Sequence, residues 1–212
     1  MTDAFLPRRR VLASGLSAAA FVAATPALAA LRPTPRQTRG PFYPDKFPLD
    51  SDNDLVRVKG KAARALGEVT HLSGRVLDTD GKPVAGARIE IWQCDANGVY
   101  HHQGDGRLGR IDGNFQGYGR TRAAADGGYR FRTIKPVPYP GRTPHIHFAV
   151  AAPGFEEIST QMYIEGHLQN ARDFLYRQVA GSGVPIAARF SSASEIERGA
   201  LKARFDLVLA RQ

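Results

Sequence analysis

The chain has 212 residues, the length of one domain with a substantial core, and 42% of them are hydrophobic. Its formal net charge at pH 7 is +9, and such a basic surface can attract anionic aromatics, polyanions or acidic lipid. The Lys and Arg residues are scattered, with neither a dense run nor interleaved aromatics, which favours a solvated surface over nucleic-acid binding.

Residues 1–29 have the features of an export signal. Arg8 and Arg9 precede an apolar stretch rich in Ala, and residues 27–29, Ala-Leu-Ala, fit a small-x-small cleavage pattern. Paired arginines before a modestly apolar stretch predict twin-arginine export to the periplasm, with no membrane attachment of the mature protein. An uncleaved anchor or a disordered tail is the alternative, but Pro26 and the Ala and Ser content are unfavourable for a spanning helix.

The rest of the chain is predicted to have two parts. Residues 30–67 are predicted to form an extended N-terminal arm and connecting segment, and residues 68–212 a β-sandwich domain. In that domain short apolar runs alternate with turn signals, a pattern typical of an all-β fold, here a β-sandwich with short helical and loop elaborations. The predicted strands are 72–77, 87–94, 129–134, 145–152, 160–164 and 204–209, with a short helix at 170–179 and hairpin turns at 97–98 and 126–127.

The single cysteine, Cys94, excludes an internal disulfide and is predicted to be a buried, inert thiol, since it ends a strand-like run. The segment that carries most chemistry is residues 135–148. Its His145 and His147 are two apart in a predicted strand, so both imidazoles leave the same face while Ile146 and Phe148 face the core. Two imidazoles on one rigid strand can bind a metal with little loss of conformational entropy. By itself, however, the pattern is equally compatible with two surface histidines that bind no metal.

One tyrosine and an arginine lie near this pair in sequence, and a second tyrosine lies 45 residues before His145. Tyr139 and Arg142 precede His145 in a loop that four prolines stiffen by fixing φ. Tyr100 follows the turn at 97–98. Taken singly, each tyrosine is interpreted as a packing aromatic and the arginine as a surface residue.

In combination, these segments resemble the intradiol ring-cleavage dioxygenases, and within that family the catalytic β subunits that cleave protocatechuate. The resemblance covers roughly residues 38–166. The motifs that carry it are Gly40-Pro41-Phe42-Tyr43-Pro44, Gly74-Arg75-Val76-Leu77-Asp78, Gly86-Ala87, Glu90-Ile91-Trp92-Gln93, Gly98-Val99-Tyr100, Gly119-Arg120-Thr121, the stretch 126–136, the stretch 139–148 and Thr160-Gln161-Met162-Tyr163.

The resemblance implies a non-haem iron(III) enzyme that inserts both atoms of O₂ into a catechol-type aromatic of the protocatechuate, catechol or hydroxyquinol class. The implied product is a cis,cis-muconate-type acid, and a homo- or hetero-oligomer is left open. The resemblance also implies that Arg142 stabilises charge on the substrate and that Gln161 lies near the oxygen site. It further implies that Tyr139 leaves the metal and takes up a substrate proton. The implied Fe(3+) ligands are Tyr100, Tyr139, His145 and His147.

The donor types agree with that ion. Iron(III) is hard and favours anionic oxygen, and a bound metal can deprotonate a tyrosine whose free pKa is about 10. A ferrous oxygenase would instead use two histidines and a carboxylate, yet no Asp or Glu occurs between Asp126 and Glu156.

Two non-catalytic alternatives remain. Transthyretin-like β-sandwich binding modules share the glycine and turn pattern, and a partner subunit of a heteromeric dioxygenase would look similar; neither needs all four ligands.

The short spacing from Tyr139 to His145 and the short Gly-rich loop 103–115 depart from many family members. They predict a more open site and leave the ring substituents of the substrate undetermined.

Export is testable. Replacing Arg8 and Arg9 together by Lys should leave the protein folded in the cytoplasm, because the twin-arginine pair is the recognised signal. Cell fractionation followed by immunodetection measures this. Unchanged delivery to the periplasm would show that another route is used.

Overall fold

In the computed structural model, which describes Met1 and residues 30–212, two five-stranded sheets pack face to face around one core. The predicted all-β sandwich is therefore confirmed. Apart from Met1, the predicted export signal lies outside the described residues. No helix of the described part is long and apolar enough to cross a bilayer.

Most of the regular structure is β. The one α-helix of the described part, α1 (Phe174–Ala180), follows a 3₁₀ turn at Leu168–Arg172, and a second 3₁₀ turn lies at Leu108–Arg110. The strands, in chain order, are β1 (Val69–Asp78), β2 (Arg88–Trp92), β3 (Tyr118–Arg122), β4 (Gly128–Ile134), β5 (His145–Ala151), β6 (Ile158–Ile164), β7 (Ala187–Ala188), β8 (Ser191–Ser192), β9 (Leu201–Arg204) and β10 (Leu207–Leu209).

The first sheet is built around β1, which pairs antiparallel with β4 on one side and parallel with β9 and then β10 on the other. The second sheet has the order β3-β2-β5-β6-β7. In it Trp92 of β2 lies opposite His147 of β5, and His147 lies opposite Gln161 of β6. Three strands therefore place these three side chains in one row across the sheet.

The two faces of β5 have different environments. Ile146 and Phe148 are fully buried in the core between the sheets, as the alternation predicted. His145 and His147 point to the outer face of the second sheet, which is covered as well. Segments outside the sandwich therefore enclose the histidines.

The N-terminal arm supplies part of that cover. The Tyr43 hydroxyl donates to Glu90 Oε2 at 2.7 Å, and the Phe42 ring stacks on Tyr100 with centroids 4.6 Å apart. Further along the same segment, Leu55 and Val56 are fully buried in the core. Residues 30–67 therefore reach both the outer face of the second sheet and the core.

Some local predictions are wrong. The turn at 97–98 does not make a hairpin, because both edges of β2 are occupied, by β3 and β5. The turn at 126–127 carries the chain from one sheet to the other. Strand β3 was missed because its sequence, Tyr-Gly-Arg-Thr-Arg, has little apolar character. The predicted strand 204–209 is interrupted at residues 205–206, and the predicted helix begins only at Phe174.

The interruption at residues 205–206 depends on a glycine. The carbonyl oxygen of Phe205 approaches β1 so closely that a Cβ on Gly74 would lie 1.9 Å from it. The Phe205 amide donates to Ser73 O at 2.9 Å, and the Arg75 amide to Asp206 Oδ1 at 2.8 Å. Gly74 thus permits β9 and β10 to share one side of β1.

Gly74→Ala should lower the free energy of unfolding by about 3 kcal/mol, because the methyl group would displace backbone rather than a mobile side chain. Urea unfolding followed by circular dichroism measures the change. The control is Gly181→Ala, at φ −85° with open space around the added methyl group, which should shift stability by less than about 0.5 kcal/mol. Equal stabilities of the two variants would contradict this account of the close approach.

Candidate active site

Two buried histidines on β5 form the centre of the site. His145 and His147 are 1% and 2% exposed, and their Nε2 atoms lie 3.1 Å apart. His145 Nδ1 lies 2.7 Å from the carbonyl oxygen of Thr143, so Nδ1–H donates there and Nε2 keeps its lone pair. The His147 ring stacks on Trp92, with centroids 4.8 Å apart and planes 7° apart. Both rings are therefore held with their Nε2 atoms facing one another.

The environment keeps both histidines neutral at pH 7. Burial, with the positive charge of Arg142, lowers the pKa of His145 to about 3. Burial, with His145 and Arg142, lowers the pKa of His147 well below its ordinary value of 6.5. Neutral imidazole is the form that binds a metal, so the pair is prepared for a cation.

Tyr100 borders the histidines from the loop after β2. It is 2% exposed, and its hydroxyl has no hydrogen-bond partner among the described residues. Burial raises the pKa of this phenol well above 10. Its backbone amide donates to Asp105 Oδ2 at 2.9 Å, and that carboxylate also accepts from Arg107. The position of Tyr100 is therefore fixed through its backbone, while its hydroxyl is left without a partner.

Tyr139 approaches from the proline-rich loop and is only half-buried. A tight turn, in which the Arg142 amide donates to Tyr139 O at 2.9 Å, sets its direction. Its ring centroid lies 5.3 Å from that of Tyr100 and 5.5 Å from that of His145. Burial raises the pKa of Tyr139, and Arg142 opposes that shift.

Arg142 lies at the centre of the polar contacts. Its Nη2 donates to Gln161 Oε1 at 2.6 Å and its Nε to Asp173 Oδ2 at 2.8 Å. Its Nη1 donates to the Tyr139 hydroxyl at 3.3 Å and lies 3.5 Å from His145 Nε2. The structure thus brings together all six residues that the sequence singled out: Tyr100, Tyr139, Arg142, His145, His147 and Gln161.

Sequence reasoning missed several neighbours. Trp92 and Phe42 were recognised only as parts of motifs, although one stacks on His147 and the other on Tyr100. Asp173 was taken as part of a helix; a carboxylate just before a helical run is a known capping signal, but its pairing with Arg142 spans 31 residues. Only the fold could reveal that contact.

The donor set suits a hard cation. Among the described residues, no group of three or more His, Cys, Asp or Glu side chains could hold a metal. The rings of Tyr100 and Tyr139, next to the histidine pair, carry further oxygen donors. A cation there would satisfy the two facing Nε2 atoms and the unpartnered Tyr100 hydroxyl, and its charge would lower the pKa of each phenol.

The chain is similar in sequence to proteins of known activity. The profile of a family described as Dioxygenase matches residues 38–211. The protocatechuate 3,4-dioxygenase beta chain of Burkholderia cepacia is 40% identical over 190 residues, covering 82% of this chain and 78% of that one. A hydroxyquinol 1,2-dioxygenase of Nocardioides simplex is 33% identical over 201 residues, covering 81% of this chain and 62% of the relative. The chain thus spans less than two thirds of the latter's length.

The fold is also similar to a solved structure. The dioxygenase domain of a dioxygenase–carbohydrate-binding protein fusion from Streptomyces sp. SirexAA-E matches with a TM-score of 0.67 and 30% identity, covering 85% of this chain and all of that one.

Proposed function

The chain belongs to the intradiol ring-cleavage dioxygenase family, and from that premise we propose that its buried site binds one ferric ion. The proposed ligands are Tyr100, Tyr139, His145 and His147. The observation that carries this assignment is the pair of Nε2 atoms 3.1 Å apart beside a buried tyrosine hydroxyl that lacks a partner. Neutral nitrogen donors and phenol oxygens together match the preferences of a hard trivalent ion.

The reaction is cleavage of a catechol-type ring between its two oxygenated carbons, with both atoms of O₂ incorporated into a cis,cis-muconate-type acid. When bound, ferric iron supplies chelation of both catechol oxygens and makes the ring susceptible to O₂. We place the substrate in the protocatechuate, catechol or hydroxyquinol class, which the names of the relatives support. Family membership sets aside the non-catalytic binding module considered from the sequence.

The two tyrosines have different freedom, which suggests different roles. Tyr100 is fully buried under the Phe42 ring, so it is proposed to stay in place. Tyr139 is half-buried on a loop and is proposed to move when substrate binds and to accept a substrate proton on its oxygen. Arg142 Nη1, 3.3 Å from that oxygen, lowers the cost of holding negative charge there until the proton arrives.

Arg142 is proposed to stabilise negative charge that develops on the substrate. Its guanidinium is held by Gln161 and Asp173, so it requires little reorganisation during the reaction. Gln161 is fully buried, and its Nε2 lies 3.4 Å from Thr38 O, which ties it to the N-terminal arm. We propose that Gln161 acts near the oxygen site by holding the arginine and the arm together.

We also propose that the enzyme acts in the periplasm. The support is the arginine pair and the cleavage pattern within residues 1–29. A small aromatic diol and O₂ are its expected partners, and the proposal involves no nucleic acid.

The metal assignment predicts a coloured protein. After loading with ferric iron, tyrosinate-to-iron charge transfer should give visible absorption, because two ligands are tyrosinates. Tyr100→Phe and Tyr139→Phe should each change that band. The matched control is Tyr176→Phe on α1, a tyrosine that is not a proposed ligand, which should leave the band as it is. A colourless protein after iron loading would overturn the assignment.

The reaction predicts a separation of rate from metal binding at Arg142. Arg142→Ala should keep the visible band and lose about two to three decades of turnover, because its charge acts after substrate has bound. Oxygen uptake with catechol, protocatechuate and hydroxyquinol in turn, and product identification by mass and ultraviolet spectrum, measure this. Arg130→Ala, an exposed arginine on β4, is the control and should retain full rate. A yellow semialdehyde product would contradict intradiol cleavage.

A further inference from the structure

A buried carboxylate outside the proposed ligand set contacts the candidate active site. Asp173, 2% exposed, immediately precedes α1. Its Oδ2 accepts from Arg142 Nε at 2.8 Å and from the Thr143 amide at 2.9 Å, and its Oδ1 accepts from the Tyr176 amide at 2.9 Å. One carboxylate therefore joins the start of a helix to the loop that carries Arg142.

The contacts of Asp173 fix Arg142 at two points. The bond to the Thr143 amide holds the backbone beside Arg142, and the bond to Nε holds its head. Gln161 Oε1 then accepts from Nη2. What remains is Nη1, which points toward Tyr139 and His145. Asp173 and Gln161 together thus set the direction in which the guanidinium presents Nη1 to Tyr139 and His145.

We propose that Asp173 is a positioning residue for the ring-cleavage reaction: its carboxylate holds Arg142 in the orientation in which the guanidinium stabilises charge on bound substrate. This inference rests on the proposed function of Arg142. Asp173 itself touches neither the proposed metal ligands nor the reacting atoms, since its carboxylate bonds go to Arg142, Thr143 and Tyr176.

The chemistry of the contact requires a carboxylate. Three N–H donors bond to the two carboxylate oxygens of Asp173. An amide in the same place would offer only one oxygen, and its own NH₂ group would face at least one of the three donors. Burial by itself would raise the pKa of Asp173, but the bonds from Arg142, Tyr176 and Thr143 outweigh it and hold that pKa below its usual range. The charged form is therefore the one present, and charge-assisted bonds of this kind are stronger than neutral ones.

Asp173 also caps α1 through the Tyr176 amide, so a loss of activity could reflect a damaged helix. Serine separates the two roles. It is a good N-cap residue and can still accept from the Tyr176 amide, but it is short and uncharged and cannot hold Arg142 Nε. Asp173→Ser therefore removes the contacts with Arg142 Nε and the Thr143 amide and keeps the cap.

The experiment compares iron-loaded wild type, Asp173→Ser, Arg142→Ala and the double variant. Asp173→Ser should keep the visible band, keep KM nearly unchanged and lower kcat about tenfold to hundredfold, since a small misplacement of a catalytic group has that effect. The double variant should be no slower than Arg142→Ala, because Asp173 acts through the arginine. A purely structural role would instead slow the double variant further.

An aspartate elsewhere controls for the loss of a buried carboxylate that pairs with an arginine, here the largely exposed Arg211. Asp78 is 1% exposed, accepts from Arg211 Nη2 at 2.7 Å and from two backbone amides, and lies at the end of β1 in the other sheet. Asp78→Asn should lower the melting temperature and leave kcat unchanged.

Asp173→Asn is the second variant, to be used if the serine variant fails to fold. It should lower kcat, because at least one of the three N–H donors loses its acceptor.

The crystal structure of Asp173→Ser supplies a readout that does not depend on turnover: Arg142 should leave its wild-type position. The inference is overturned if Arg142 stays in place, or if kcat equals that of wild type while Arg142→Ala is impaired. A wild-type protein that takes up no oxygen with any catechol would instead overturn the proposed function. The two failures are therefore distinguishable.

Discussion

The alternation of side chains along β5 is the constraint on which the site depends. A strand exposes successive residues to opposite faces, so Ile146 and Phe148 can fill the core only if His145 and His147 leave it together. The packing energy of the core thus fixes the direction of both imidazoles. Because β5 is the central strand of its sheet, neighbours on both sides add Trp92 and Gln161 in the same row.

A second constraint is the charge balance of this enclosed face. Two neutral histidines and two phenols of raised pKa lie near the half-buried Arg142, and Asp173 is the carboxylate that pairs with it. Removing one member of a buried pair leaves an uncompensated charge. Asp173 therefore balances the charge of Arg142 within the enclosed face, and Arg142 Nη1 stays directed toward Tyr139 and His145.

The cover of the site comes from three distant parts of the chain. The arm places Phe42 on Tyr100, the proline-rich loop brings Tyr139, and the start of α1 contributes Asp173 and the Phe174 ring, 5.9 Å from the Arg142 guanidinium carbon. Tyr100 is enclosed under this cover while Tyr139 is only half-buried. That difference is the physical basis for assigning the mobile role to Tyr139.

The sequence by itself determined the all-β class and most strands, because strand periodicity and turn residues are local signals. It also identified the six residues that meet at the site, through the resemblance of its local motifs to a known family. The order of strands, the missed β3 and the break at residues 205–206 were decided by tertiary packing, such as the approach of Phe205 O to Gly74. The link between Arg142 and Asp173 was equally invisible, since it joins residues 31 apart through a loop and a helix cap. Local patterns specify which face a side chain takes, whereas contacts between remote segments exist only once the sheets have packed.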